Sequence, residues 1–125
     1  MLTAFLSPLA RLFRNPPPGP VWVDVADLRR QMASAASSSL GPLILDVRGP
    51  DEFDGPLGHI EGARNIPLPE LPGHQSELAG TGRPIVCVCL TDKRSAAAAA
   101  QLAATGIAEV SVLRGGMQAW REVGL

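Results

Sequence analysis

Seven consecutive residues, Cys89-Leu90-Thr91-Asp92-Lys93-Arg94-Ser95, set a thiol beside hydroxyls and two cations. The run before them, Pro84–Cys89, holds Ile85, Val86, Cys87 and Val88 and is the strongest strand pattern in the chain. The run after them, Ser95–Thr105, is a helix pattern ended by Gly106. A cysteine therefore closes a buried strand, a short loop follows, and a helix begins. If that loop curls around the sulfur, its backbone N–H groups point inward, together with the orphan N–H groups of the helix's first turn. This is an anion-binding nest. With Lys93 and Arg94 beside it, the nest favours thiolate, the nucleophilic form of cysteine. Lys93 is the only lysine among eleven basic residues. A nest of this kind needs no histidine base, and the two histidines, His59 and His74, lie elsewhere in the sequence.

Two other readings compete for Cys89. It can be an inert core cysteine, the role expected of Cys87. Cys87, Cys89, His59 and His74 could also number four metal ligands, but Cys-x-Cys on one strand with scattered histidines lacks the usual zinc spacing. The expectation is no metal.

The elements that must position this loop follow from the hydrophobic pattern. Val21–Val23 is a short strand, and Asp24 can cap a helix through about Ala35, with Val25, Leu28 and Met32 on one face. Ser34–Gly41 is a small-residue loop. Leu43–Val47 is a continuous apolar strand of the kind buried on both faces. Gly49–Gly58 is a turn-rich loop with an acidic cluster at Asp51, Glu52 and Asp54, and a short strand is expected at Ala63–Ile66. Pro69–Leu78 is a weak helix broken at Pro72-Gly73, Val110–Leu113 a last strand and Met117–Val123 a closing helix. Strands alternating with helices imply a parallel sheet with helices on its faces. Ligands of such sheets sit beyond the carboxyl ends of the strands, here the loops after Val47, Cys89 and Leu113.

A chain of 125 residues, 46% apolar and 18% charged, suits one domain with its own core. A formal net charge of −1 leaves no broad basic face, so nucleic acid is not an expected partner. Two cysteines one residue apart make no disulfide scaffold and fit a reducing compartment, so a cytoplasmic setting is expected. No apolar run reaches the ~18 residues of a membrane span. Residues 1–20 form a separate unit from residues 21–125. Met1–Arg14 places Leu2, Phe5, Leu6, Leu9, Leu12 and Phe13 at helical spacing, and Asn15–Pro20 is a Pro-rich spacer. The segment can be a weak membrane-surface or partner contact, or a helix packed on the domain's own flank.

Four stretches carry a resemblance. They are Leu45-Asp46-Val47-Arg48 with Asp51-Glu52-Phe53, Gly58-His59-Ile60-Glu61-Gly62-Ala63-Arg64-Asn65-Ile66-Pro67, Cys89 through Arg94-Ser95, and Leu113-Arg114-Gly115-Gly116-Met117-Gln118-Ala119-Trp120. Taken in this order, they make the chain from about Val21 onward resemble a single-domain rhodanese, a sulfurtransferase. The resemblance implies a rhodanese-like α/β fold, a central parallel five-stranded sheet flanked by helices on both faces, in line with the five strand segments above. It implies Cys89 as the nucleophile that becomes a persulfide, and Leu90, Thr91, Asp92, Lys93, Arg94 and Ser95 as the loop that cradles an anionic substrate. Asp46 and Arg48 then support the site, and His59 organises its loop. The implied reaction moves sulfane sulfur from a donor such as thiosulfate to cyanide or a thiol, with no cofactor. The same loop also fits a sulfur carrier or partner-binding module without turnover.

Asp92 departs from the family pattern, since many members carry glycine where the loop turns tightly. Asp tolerates a left-handed backbone, so the loop can form. Its carboxylate, however, places negative charge beside an anion site, and Leu90 stands where thiosulfate-using members often carry a basic residue. A cysteine phosphatase is a further alternative, but those enzymes place five residues between Cys and Arg. Here four separate Cys89 from Arg94.

Overall fold

The computed structural model of the protein describes residues 20–35 and 41–124. Met1–Arg14, the spacer up to Gly19 and positions 36–40 of the small-residue loop lie outside the described residues. Five strands, β1 (Trp22–Val23), β2 (Leu43–Asp46), β3 (Arg64–Asn65), β4 (Ile85–Val88) and β5 (Val110–Leu113), form one sheet in the order β1-β5-β4-β2-β3. Every neighbouring pair is parallel. The most apolar strand, β4, takes the centre, between β2 and β5, with all four of its residues buried.

Because successive strand residues point to opposite faces, the sheet sorts its own core into two layers. Leu43, Leu45, Ile85, Cys87 and Val112 pack on one face with Leu71, Leu78, Ala98 and Leu102. These last come from a 3-10 helix (Leu68–His74), α3 (Gln75–Gly80) and α4 (Lys93–Ala104). Ile44, Val86, Val88 and Leu113 pack on the other face with Val25, Leu28, Met117 and Trp120, from α1 (Val25–Ser34) and α5 (Gly116–Gly124). The helices on both faces are those expected from the alternating pattern.

Three local details differ from the sequence expectation. Pro69–Leu78 divides into the 3-10 helix, which holds Pro69 and Pro72, and α3. Proline supplies no N–H and keeps the first part from continuing as a regular α-helix. The acidic loop contains one helical turn, α2 (Pro50–Phe53), with proline at its start, where the missing N–H costs nothing, and the Glu52 carboxylate accepting the Gly49 N–H at 3.2 Å. Finally, α4 begins at Lys93 rather than Ser95, with Asp92 as its N-cap residue. The Asp92 carbonyl accepts the Ala96 N–H at 2.9 Å, so Lys93, Arg94 and Ser95 form the helix's first turn.

Candidate active site

Cys89 follows the last residue of the central strand and lies on the same face as Cys87, two residues earlier; both are buried and free. They differ in what the sulfur meets. Burial among apolar neighbours pushes the Cys87 thiol up to about 12, so at neutral pH it stays an inert thiol. Cys89 Sγ instead faces the start of α4. It accepts the Ser95 backbone N–H at 3.3 Å and lies 3.2 Å from the Ser95 hydroxyl oxygen. Ser95 is fully buried, so both contacts are screened from water. With α4 starting at Lys93, the Ser95 N–H is one of the orphan donors of the first turn.

The rest of the loop is held from behind by α5. The Cys89 carbonyl accepts the Met117 N–H at 2.9 Å, and the Leu90 carbonyl accepts the Gln118 N–H at 3.0 Å. A trans peptide points its N–H opposite to its C=O. Fixing these carbonyls on α5 therefore turns the N–H groups of Leu90 and Thr91 the other way, and neither has a partner among the described residues. The approach of α5 requires glycine. Gly116 has φ +56°, and a Cβ there would stand 2.3 Å from the carbonyl oxygens of both Cys89 and Thr91.

Arg94 leaves the loop and reaches the acidic segment after β2. Its guanidinium makes a two-point ion pair with Glu52, Nη1–Oε1 at 2.7 Å and Nη2–Oε2 at 2.9 Å. Hydrogen bonding to Arg94 holds the Glu52 carboxyl down at about 2, assisted by the Gly49 N–H and the positive charges of Arg94 and Arg48. Beneath this pair, Asp46 and Arg48 form a second one, fully buried. Arg48 Nε donates to Asp46 Oδ1 at 2.9 Å, Nη2 donates to Oδ2 at 2.8 Å and to the Gly58 carbonyl at 2.7 Å, and the Arg48 N–H donates to Oδ1 at 3.1 Å. Asn65 ties the same corner from β3, donating to the carbonyls of Asp46 at 3.0 Å and Arg48 at 2.9 Å. His59 stacks on Phe53 with ring centroids 3.6 Å apart, and its Nδ1 meets the Phe53 carbonyl at 2.9 Å. These contacts tie the His59 ring to Phe53, the last residue of α2.

The structure thus brings together the loops after Val47, Cys89 and Leu113. One expectation about the loop needs correction. Asp92 does not occupy a left-handed conformation: its φ is −153° and ψ −2°, so no glycine is required there. The tight packing instead falls on Gly116, 27 residues beyond Cys89. Arg94 is committed to the Glu52 carboxylate, while Lys93 is exposed and has no ion-pair partner among the described residues. Leu90 is exposed. The residues missed as site components, Glu52 and Gly116, had signals in the sequence. Glu52 belonged to an acidic cluster facing a cationic loop in the same sheet-end region, and Gly115-Gly116 stood directly before a helix.

Comparison with known proteins agrees with this architecture. The family model described as rhodanese-like domain matches residues 24–123. The chain is 35% identical over 86 residues to thiosulfate sulfurtransferase GlpE of Stutzerimonas stutzeri (strain A1501), a stretch covering 69% of this chain and 76% of that protein. It is 43% identical over 77 residues to the uncharacterized protein YqhL of Bacillus subtilis (strain 168), covering 62% of this chain but only 59% of YqhL. Among solved structures, a rhodanese-related protein from Thermoplasma volcanium superposes with a TM-score of 0.66 at 28% identity, covering 83% of this chain and 93% of that one. With its family match running from Asp24 through Val123 and its central strand ending on a sulfur held at a helix start, the chain belongs to the rhodanese-like domain family.

Proposed function

We propose that the protein is a sulfurtransferase that carries sulfane sulfur on Cys89. The Cys89 thiolate attacks the outer sulfur of thiosulfate. The new S–S bond forms as the donor's S–S bond breaks, and sulfite leaves with the electron pair. The resulting Cys89 persulfide bears a terminal anionic sulfur. Cyanide or a thiolate then takes that sulfur, giving thiocyanate or a new persulfide and returning the Cys89 thiolate. Two half-reactions through a covalent enzyme make the kinetics ping-pong.

The observation that carries this reading is the paired contact of Ser95 with Cys89 Sγ at the first turn of α4. Donors fixed at a helix start stabilise negative charge on the sulfur without rearranging during the reaction. The N–H groups of Leu90 and Thr91, without partners among the described residues, add donors for the departing sulfite and the persulfide. Arg94, tied to Glu52, acts as a positioning residue that fixes the first turn of α4, and the buried Asp46–Arg48 pair supports that corner. Lys93 is the cation left to attract an anionic donor. A reducing compartment such as the cytoplasm keeps both cysteines as free thiols. The four-residue spacing between Cys89 and Arg94 gives a smaller nest than a phosphate tetrahedron needs, which favours sulfur over phosphoryl chemistry.

The test is intact mass after incubation with thiosulfate, followed by addition of cyanide. The protein should gain one sulfur atom and lose it again with release of thiocyanate. Repeated turnover marks an enzyme; a single discharge with no second loading marks a carrier. No added sulfur with thiosulfate or 3-mercaptopyruvate contradicts the reading.

A further inference from the structure

On the sheet face covered by α1 and α5, Arg29, Met32, His59, Glu61, Trp120 and Arg121 line a cavity of about 340 Å³. No residue of Cys89–Ser95 lines it. Helix α1 supplies Arg29 and Met32, α5 supplies Trp120 and Arg121, and the segment before β3 supplies His59 and Glu61. Arg29 follows Leu28, a core residue of α1, and its guanidinium ends over Trp120, with Cζ 4.0 Å from the ring centroid. The ring face stabilises the positive charge. It does not satisfy the N–H groups, because tryptophan offers a donor and no acceptor. Nε and Nη2 of Arg29 are screened from water and have no hydrogen-bond partner among the described residues. Buried donors are normally paired, so two on one side chain call for an acceptor. We propose that this cavity binds a small organic carboxylate, its two oxygens paired with the Nε–Nη2 edge of Arg29.

Geometry, charge and size each point to this ligand class. Nε and Nη2 form one edge of the planar guanidinium, and the chain itself shows what that edge holds. Arg48 uses the same two atoms on the two oxygens of Asp46, at 2.9 and 2.8 Å. A carboxylate matches the edge at two points. The Arg29 side chain is half-buried and flexible, so its guanidinium can turn this edge to a ligand without moving α1. As to charge, two guanidiniums against the one carboxylate of Glu61 leave one positive charge in surplus, His59 aside. That suits a monoanion, whereas a sulfate or phosphate dianion brings a second charge toward Glu61. Arg121 is already engaged, with Nε donating to the Leu57 carbonyl at 2.7 Å and Nη2 to the His59 carbonyl at 3.4 Å. It gives its charge to the wall, while Arg29 keeps donors for the ligand. As to size, small-molecule sites measure roughly 300–1,000 Å³, more than a bare inorganic anion needs. Met32 and Trp120, both packed on the apolar layer, offer surface for a carbon body.

The test titrates the full chain at low salt with sodium benzoate and follows the Trp120 indole N–H and the Met32 methyl by NMR. Both signals should shift and saturate with a Kd of about 1 mM or tighter. Benzamide, of the same shape without the charge, and sulfate should each bind at least roughly tenfold more weakly. Arg29→Lys keeps a cation for the Trp120 ring but loses the paired edge, and should weaken benzoate binding roughly tenfold. Arg29→Gln should weaken it further, and a cooperative melt of each variant shows the domain intact. Should Arg29→Gln fail to fold, Arg29→Lys alone decides. Benzamide or sulfate binding as tightly as benzoate would overturn the proposal, as would full affinity in Arg29→Lys or shifts confined to the amides of Leu90–Arg94. Failure of the benzoate titration to saturate by about 10 mM would overturn it too.

Discussion

Ser95 touches the Cys89 sulfur twice, through its backbone N–H at 3.3 Å and its hydroxyl at 3.2 Å. The first contact belongs to the backbone and survives any substitution that keeps the helix; the second belongs to the side chain alone. Ser95→Ala therefore separates them. A hydrogen bond to a charged partner is worth ~1.5–3 kcal/mol, so kcat/KM for thiosulfate should fall by about ten- to a hundredfold. The thermal midpoint should change little, since alanine fits the same buried space. An unchanged kcat/KM would remove the hydroxyl from the account.

The Glu52–Arg94 pair should leave a pH signature. Glu52 titrates near 2 in the folded chain against 4.5 in the unfolded one. Its folded value is depressed, so its stabilisation is complete above pH ~4.5 and is lost as pH falls toward 2. Both side chains are more than a third exposed, so the pair is worth no more than ~1 kcal/mol after screening. The melting-temperature gap between the parent protein and Glu52→Gln should be constant above pH 5 and close between pH 4.5 and 2. A gap that stays open at pH 2 would contradict the assignment.

Gly116→Ala should harm the site more than an ordinary turn glycine. Its new Cβ meets two backbone oxygens at 2.3 Å, and backbone cannot move aside as a flexible side chain can. The left-handed conformation adds ~1–2 kcal/mol of strain. Gly62→Ala is the control: φ is +84° but no atom lies within 4 Å of the added Cβ. Both variants should lose stability from strain, and only Gly116→Ala should also lose most sulfur-transfer activity. Full activity in Gly116→Ala would show that α5 does not shape the loop.

Asp92 makes no side-chain capping bond and no ion pair among the described residues. In the proposed reaction its carboxylate would act on the donor through charge alone. A like charge at 4 Å costs ~1 kcal/mol in bulk water and more where water is excluded. Asp92→Gly should thus lower the thiosulfate KM several-fold at low salt, without relaxing any strained turn. Lys93→Ala should raise KM, again most at low salt, because attraction between exposed charges is screened. An unchanged KM for Asp92→Gly at low salt would end the repulsion argument.

How much of this was visible beforehand depends on the range of the interaction. The two buried strands, the helix after Cys89 and the position of chemistry beyond the strand ends all follow from local patterns around Leu43–Val47 and Pro84–Thr105. The start of α4 lies two residues before the expected one because Lys93 and Arg94 have the character of loop residues, and Asp92 takes the N-cap position without a side-chain capping bond. The pairing of Glu52 with Arg94 spans 42 residues and depends on β2 and β4 being neighbours, which periodicity cannot specify. Nor does a local pattern tell which glycine must let α5 close on the loop. Asp92 stands where many members of the family carry glycine, yet the steric demand lies at Gly116.

The most direct test of the central claim compares Cys89→Ser and Cys87→Ser by intact mass after thiosulfate treatment. Cys87 is buried and held as a thiol by a value pushed up to about 12, whereas Cys89 faces the donors of Ser95. The account predicts that Cys87→Ser gains one sulfur atom like the parent protein and that Cys89→Ser gains none while keeping its cooperative melt. A folded Cys89→Ser protein that still takes up sulfur would contradict it.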